Sequence, residues 1–199
     1  MARLDAHAGL ALLATLLLWG SAPPETPVAD AAMRGDVEEV RSLLRAGEDV
    51  NAAQGDGMTA LHWAAEHDAA EMAAMLLAAG ADVGALTRLG DYTPLHVATR
   101  SGSAGVVRVL LESGADPSAR TSTGSVEPLH MAAGAGSAEI VSLLLEHGAE
   151  VDAREGMWHQ TPLMFAAAGG HAAVVQALVA AGADVAATAR VMDMDAREQ

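Results

Sequence analysis

The chain of 199 residues contains no cysteine and no lysine, and only 3% of its residues are aromatic. Without cysteine it cannot form disulfides, use thiolate catalysis or hold a cysteine-ligated zinc ion. Few aromatic side chains and many alanines argue against a bulky globular core. They favour closely packed helices, because alanine has the highest helix propensity.

Positive charge is scarce as well. Against 26 acidic residues there are 11 arginines, which gives a net charge of −15. Such a surface repels phosphate groups, so we expect neither a nucleic-acid partner nor binding to an anionic membrane surface.

The common catalytic motifs are missing too. The sequence has no H-E-x-x-H zinc motif, no nucleophile elbow, no phosphate-binding Walker loop and no calcium-binding loop. Gly134-Ala-Gly136 falls at a turn between predicted helices and not after a strand, so it is no dinucleotide-binding motif. We therefore predict a chain that is not an enzyme and that takes no cofactor, metal ion or small-molecule substrate.

What the sequence does contain is a 34-residue repeat. Four leucines mark it, in motifs that read T-A-L-H, T-P-L-H, E-P-L-H and T-P-L-M: Leu61, Leu95, Leu129 and Leu163. Four glycines of G-A-D or G-A-E motifs keep the same spacing: Gly80, Gly114, Gly148 and Gly182. A fixed period of this length predicts a stack of one repeated supersecondary unit.

The unit around Leu61 shows what is repeated. Thr59 is a good helix N-cap, and the first helix is predicted to end near Asp68. A second helix is predicted over about residues 70–79 and ends at Gly80, where glycine readily takes a left-handed backbone conformation. An extended stretch with a turn leads to the next unit. Each unit is therefore predicted to be helix, turn, helix and a hairpin-like finger.

The T-P-L-H-x-A stretch, the glycine between the helices and the G-A-D ending resemble the ankyrin repeat over about residues 26–190. The resemblance implies an all-α repeat solenoid, an ankyrin stack of about five helix-turn-helix units with β-hairpin-like fingers. It also implies a concave face made by the fingers and first helices, and protein binding without catalysis. The expected units are about 26–57, 58–91, 92–125, 126–159 and 160–190.

The two ends of the stack are predicted to differ. In the first unit Glu39 and Ser42 occupy the positions that Met72 and Met75 hold in the second. These positions should face a preceding unit, so polar residues there are typical of a terminal cap. For the tail, residues 191–199, two alternatives stay open: it folds over the last unit, or it is frayed.

Residues 1–22 resemble a secretory signal peptide. Arg3 is followed by the uncharged run Gly9–Trp19 and then by small residues, and this run is short for a membrane span. Asp5 and Pro23 fit the pattern less well. We predict export to the bacterial periplasm; the alternatives are an uncleaved inner-membrane anchor, which would be the chain's sole membrane contact, secretion from the cell, or a mis-assigned start.

Three histidines, His62, His96 and His130, recur at one repeat position. Stacked helices lie roughly 8–10 Å apart, whereas zinc ligands lie about 2 Å from one ion, so successive histidines cannot share a metal. We expect each imidazole to bind backbone at its own finger, as the family resemblance implies.

Aromatic and charged residues that differ between repeats mark the candidate partner-binding face. Tyr92 and Trp158 lie in fingers, and Trp63 and Phe165 share one position on first helices; local packing is the alternative for all four. Arginines lie on the same side, and we expect Asp91 and Glu155 to join them. The predicted binding residues are Trp63, Glu66, His67, Arg88, Tyr92, Arg100, Arg120, Trp158, His159 and Phe165.

The sequence thus predicts a monomeric, non-enzymatic interaction module. It would bind, and stabilise or inhibit, a partner protein in the bacterial cell envelope, in line with a resemblance to exported bacterial ankyrin proteins. The alternative is a secreted effector or toxin-related protein that acts on a host or competitor protein. The sequence does not identify the partner.

Overall fold

Five pairs of short helices follow one another along the part of the chain that the computed structural model describes, residues 25–190. The predicted signal peptide and the predicted tail lie outside the described residues. The first helices of the five units are α1 Pro27–Met33, α3 Ala60–Glu66, α5 Pro94–Ser101, α7 Pro128–Ala135 and α9 Pro162–Ala168. The second helices are α2 Val37–Ala46, α4 Ala70–Ala78, α6 Ala104–Glu112, α8 Ala138–Glu146 and α10 Ala172–Ala180.

The helices form two layers. Each first helix packs against the first helix of the next unit, from α1 to α9, and the second helices from α4 to α10 pack in the same order. Within each unit the two helices also contact each other. The predicted all-helical repeat stack is thus confirmed, and no helix within residues 25–190 is long and apolar enough to span a bilayer.

The repeated leucines form the centre of the stack. Leu61, Leu95 and Leu129 are fully buried, and small residues such as Ala64 and Ala65 let neighbouring first helices approach closely. Leu163 of the last unit is only half-buried. The leucine repeat therefore packs most tightly where a unit has neighbours on both sides.

The polar residues of α2 lie where the sequence predicted. Glu39 and Ser42 are exposed, whereas Met72, the equivalent of Glu39 in the second unit, is buried. Asp36 caps α2 by accepting a hydrogen bond from the Glu39 N–H, at 2.9 Å. This face of the first unit is therefore polar.

Four fingers join the units: finger 1 (54–58), finger 2 (87–92), finger 3 (121–126) and finger 4 (155–160). None of residues 25–190 forms a β-strand, so the fingers are hairpin-like turns without a ladder. One backbone bond closes each finger, as from the Thr87 N–H to the Tyr92 carbonyl at 3.0 Å. A second set of backbone hydrogen bonds joins neighbouring units, and its donors recur every 34 residues. The bonds run from the N–H to the carbonyl in the pairs Arg88–Asp56, Ser122–Gly90, Gly156–Gly124 and Arg190–Trp158.

Candidate functional site

The recurring histidines brace the stack. His62 Nδ1 accepts from the Thr59 N–H at 3.2 Å, so its ring proton is on Nε2, which donates to the Tyr92 carbonyl at 3.0 Å. His96 and His130 make the equivalent bonds to the carbonyls of Val126 and Gln160. The backbone-binding interpretation is confirmed, because each ring links a helix start to the finger that follows.

Burial lowers the pKa of all three histidines, although their bonds to backbone carbonyls act in the opposite direction. The rings are therefore neutral at pH 7. In the fifth unit Met164 replaces the histidine, and the buried hydroxyl of Thr161 has no hydrogen-bond partner among residues 25–190. The loss of one imidazole thus leaves its capping threonine unsatisfied.

Three predicted binding residues meet at the junction of units two and three. The Arg100 guanidinium donates to Glu66 at 3.1 Å, and its Cζ lies 5.7 Å from the centroid of the Tyr92 ring. Ser101 also donates to Glu66, at 3.3 Å. These contacts fix the Arg100 side chain across two units and present it with the tyrosine on the finger face, the surface made by the fingers and first helices.

A cavity of about 230 Å³ adjoins this cluster. Its lining residues come from fingers 1 and 2 and from α5: Asp56, Met58, Thr87, Leu89, Tyr92, Val97 and Arg100. Gly90 is favoured here, because its backbone has a φ of 86° and a Cβ atom at this position would come within 2.5 Å of the Tyr92 ring. The glycine therefore leaves room for the Tyr92 ring, which lines the cavity.

Trp63 and His67 form a second group beside this cluster. Their rings stack with centroids 5.9 Å apart, and the indole N–H donates to Gln54 at 2.9 Å. His67 Nε2 lies 2.9 Å from the carbonyl of Met33 at the end of α1. Both side chains therefore hold unit two against unit one, and Trp63 is half-buried.

Two predicted binding residues, one of unit three and one of unit five, have structural partners in the fourth unit. Phe165 packs edge-on against the His130 ring, with centroids 5.4 Å apart. Arg120 forms an ion pair with Glu127 at 2.9 Å, although its own side chain is half exposed. Glu127 takes the place of a capping threonine, and burial raises its pKa more than Arg120 lowers it.

Finger 4 differs from the sequence-based expectation. Glu155, expected on the surface, is only 4% exposed. Its carboxylate accepts hydrogen bonds from the N–H groups of Met157 at 2.7 Å, Trp158 at 2.6 Å and Gln160 at 3.0 Å. Burial would raise the pKa of Glu155, but these three donors outweigh it and hold the pKa below its ordinary value. Glu155 is thus part of the framework of the finger.

The tips of fingers 2 and 4 expose apolar side chains. Met157 is 60% exposed, Trp158 37% and His159 is also exposed, while Leu89 at the tip of finger 2 is 82% exposed. The sequence reasoning found Trp158 and His159 but missed Leu89, Met157 and Met58. The signal that was available is their position, since all three lie in fingers where repeats differ from one another.

Among the larger depressions of the surface, two include other predicted binding residues. One of about 750 Å³, which includes Arg88, is lined by Glu25 and Asp30 and borders residues that the structure does not describe. The other, of about 460 Å³, lies between fingers 3 and 4 and includes Arg120 and His159. Within residues 25–190 no group of three or more histidine, aspartate or glutamate side chains could hold a metal ion.

Paired helices, finger-to-finger hydrogen bonds and histidine braces define a helical repeat protein. A family model described as Ankyrin repeats (3 copies) matches residues 6–87, 28–121 and 120–189. The chain belongs to the ankyrin-repeat family, whose repeats are generally non-enzymatic modules for protein–protein interaction.

Curated relatives share part of this array. A segment of 63 residues is 40% identical to human Ankyrin repeat domain-containing protein 40, which covers 31% of this chain and 17% of that protein. A segment of the same length is 41% identical to the Ankyrin repeat and LEM domain-containing protein 1 homolog of Caenorhabditis elegans, covering 32% of this chain and 9% of that protein. The chain thus matches less than a fifth of either relative.

Proposed function

We propose that the protein binds a partner protein through the finger face of units two to five. The Tyr92–Arg100–Glu66 cluster carries the proposal. Tyr92 and Arg100 are replaced by other residues at the equivalent positions of the other units. The repeat therefore folds without this tyrosine and this arginine, which leaves them free for a role in binding. The exposed tip of finger 4 extends the same surface.

The cluster is suited to binding because its side chains already contact one another. Arg100 lies between a carboxylate and an aromatic ring, and these contacts reduce the side-chain entropy that is lost on association. Tyrosine, tryptophan and arginine are also the side chains most often found to dominate binding energy at protein interfaces. Trp63, Phe165 and Arg120 contribute mainly by holding neighbouring units in place.

The test is capture of the partner by the full chain, expressed with a C-terminal tag in its own host. Tyr92, Arg100 and Trp158 are replaced together by alanine, and a control variant carries alanine at Arg108, Glu112 and Ser142 on second helices. We expect a protein that copurifies with the wild type and with the control to be lost from the first variant. Unchanged recovery with that variant, at an unchanged melting temperature, contradicts the proposal.

We also propose that this interaction takes place in the bacterial periplasm, where the protein stabilises or inhibits its partner. The support is the sequence of residues 1–22, with its basic start, apolar run and small residues. Cell fractionation and N-terminal sequencing of the mature protein test this location. Recovery from the culture fluid or from host cells would instead favour a secreted effector.

A further inference from the structure

The cavity beside Tyr92 has the size of a site for one side chain. Its volume of about 230 Å³ is below the roughly 300–1,000 Å³ of pockets that hold whole small molecules. Three of its lining residues, Met58, Leu89 and Tyr92, are at least partly exposed and offer apolar surface. A long side chain with an apolar stem would therefore bury that stem here.

The two charged groups of the cavity differ in how they are satisfied. Arg100 is paired with Glu66 and lies over the Tyr92 ring. Asp56 is exposed, and its carboxylate accepts one local hydrogen bond, from the Met58 N–H at 2.9 Å. This carboxylate forms no ion pair with any of residues 25–190. The charge that remains for a partner to neutralise is therefore negative.

The charge of the whole molecule also favours a basic partner. The whole chain carries a net charge of −15, which favours the approach of basic segments. Arginine and lysine combine a cationic head with an apolar stem, and their stems commonly lie along apolar surface. Tyrosine can also attract such a head through its ring.

We propose that this cavity binds an arginine or lysine side chain of the partner, with the stem against Met58 and Leu89 and the head at Asp56. The inference rests on the proposed function and specifies the chemistry of the partner. It predicts a basic residue at the centre of the partner's docking segment.

A random peptide library selected on the full-length protein tests this inference. Peptides that bind the wild type but not a Tyr92→Ala variant are sequenced, and we expect arginine or lysine to be enriched among them. Asp56→Asn should then weaken their binding about three- to tenfold, because it removes the charge and keeps the oxygen that accepts from Met58. The loss should shrink as salt is added.

Asp82→Asn is the matched control. Asp82 makes the same type of local bond, from its Oδ1 to the Gly84 N–H at 2.9 Å, but does not line the cavity. We expect this variant to bind the selected peptides as the wild type does. In addition, replacing the basic residue of a peptide by norleucine should make its affinity insensitive to Asp56→Asn.

The outcomes separate this inference from the proposed function. Tyr92-dependent peptides without basic enrichment, or equal effects of the two asparagine variants, overturn the basic side chain and leave the finger face as the binding surface. A library that yields no Tyr92-dependent peptide contradicts both. Protein capture that is lost in the triple variant but retained in Asp56→Asn contradicts the basic side chain alone.

Discussion

Fingers 2 and 3 are built differently from finger 4. In fingers 2 and 3 a threonine hydroxyl, of Thr87 or Thr121, donates to the carbonyl two residues on and accepts from the N–H five residues on. In finger 4 the carboxylate of Glu155 accepts from three N–H groups. The same repeat position thus carries a neutral hydroxyl in fingers 2 and 3 and a buried carboxylate in finger 4.

The difference extends to the residue at the tip. Fingers 2 and 3 have glycine at positions 90 and 124, with φ of 86° and 87°. Finger 4 has Trp158, which does not adopt a positive φ. Anchoring by Glu155 therefore lets a large aromatic side chain stand where the repeat otherwise needs glycine, and this departure creates an exposed apolar tip.

The largest effect on this comparison is expected from Glu155→Ala. Because three finger N–H groups lose a charged acceptor, we expect the free energy of unfolding to fall by about 2–3 kcal/mol. Thr121→Ala, which removes one neutral acceptor from finger 3, should cost about 1 kcal/mol. Urea denaturation of both variants measures the two losses. Equal losses would show that the carboxylate is no stronger an anchor than the hydroxyl.

The next effect tests whether fingers 2 and 3 depend on glycine. Gly124→Ala forces a side chain into a left-handed conformation, where its Cβ atom would make only an ordinary contact with Val126, and should cost about 1 kcal/mol. Gly90→Ala adds a clash with the Tyr92 ring and should cost about 2 kcal/mol. Thermal unfolding of the two variants shows which of them loses more stability. A Gly90→Ala variant as stable as the wild type would contradict the placement of Tyr92.

The fold was predictable because its signals are periodic. Constant spacing is shared by Leu61 and its equivalents, by the capping residues, and by His62 and its equivalents. Residues at a constant spacing occupy equivalent places in a stack of repeated units, so their positions follow from the repeat. Glu155 was not placed correctly, because its burial depends on three N–H groups that converge only when the turn forms. Its spacing of 34 residues from Thr121 was the available clue, since a position that holds a turn in one finger holds it in the next.

The pH dependence of finger 4 is a smaller effect. The lowered pKa of Glu155 means that its contribution is complete above its ordinary value of 4.5 and is lost as the pH falls through the folded-state pKa. Stability of the wild type should therefore fall more steeply below about pH 4.5 than that of Glu155→Gln. Both proteins share the losses from the three buried histidines, which begin below about pH 6.5. Parallel curves below pH 4.5 would contradict the anchoring role.

The smallest effect concerns the second buried carboxylate of this region. Glu127 is 1% exposed, and its Oε2 atom has no hydrogen-bond partner within residues 25–190. Glu127→Thr restores the capping residue of the other units and should stabilise the protein by about 1 kcal/mol at pH 7. The gain should shrink as the pH falls below the raised pKa, because Glu127 then becomes protonated. Urea denaturation at pH 7 and at a pH below the raised pKa of Glu127 measures the change in the free energy of unfolding. A loss of stability at pH 7 would contradict the prediction.

Hydrogen exchange of single backbone amides tests most directly whether a buried carboxylate builds finger 4. The N–H groups of Met157 and Trp158 are bonded to Glu155, whereas their equivalents in finger 3, Thr123 and Gly124, have no acceptor within residues 25–190. We expect the two amides of finger 4 to exchange on the order of tenfold more slowly than their equivalents, and Glu155→Ala, which removes both acceptor oxygens, to abolish most of that difference. Equal exchange in the two fingers of the wild type would contradict the account.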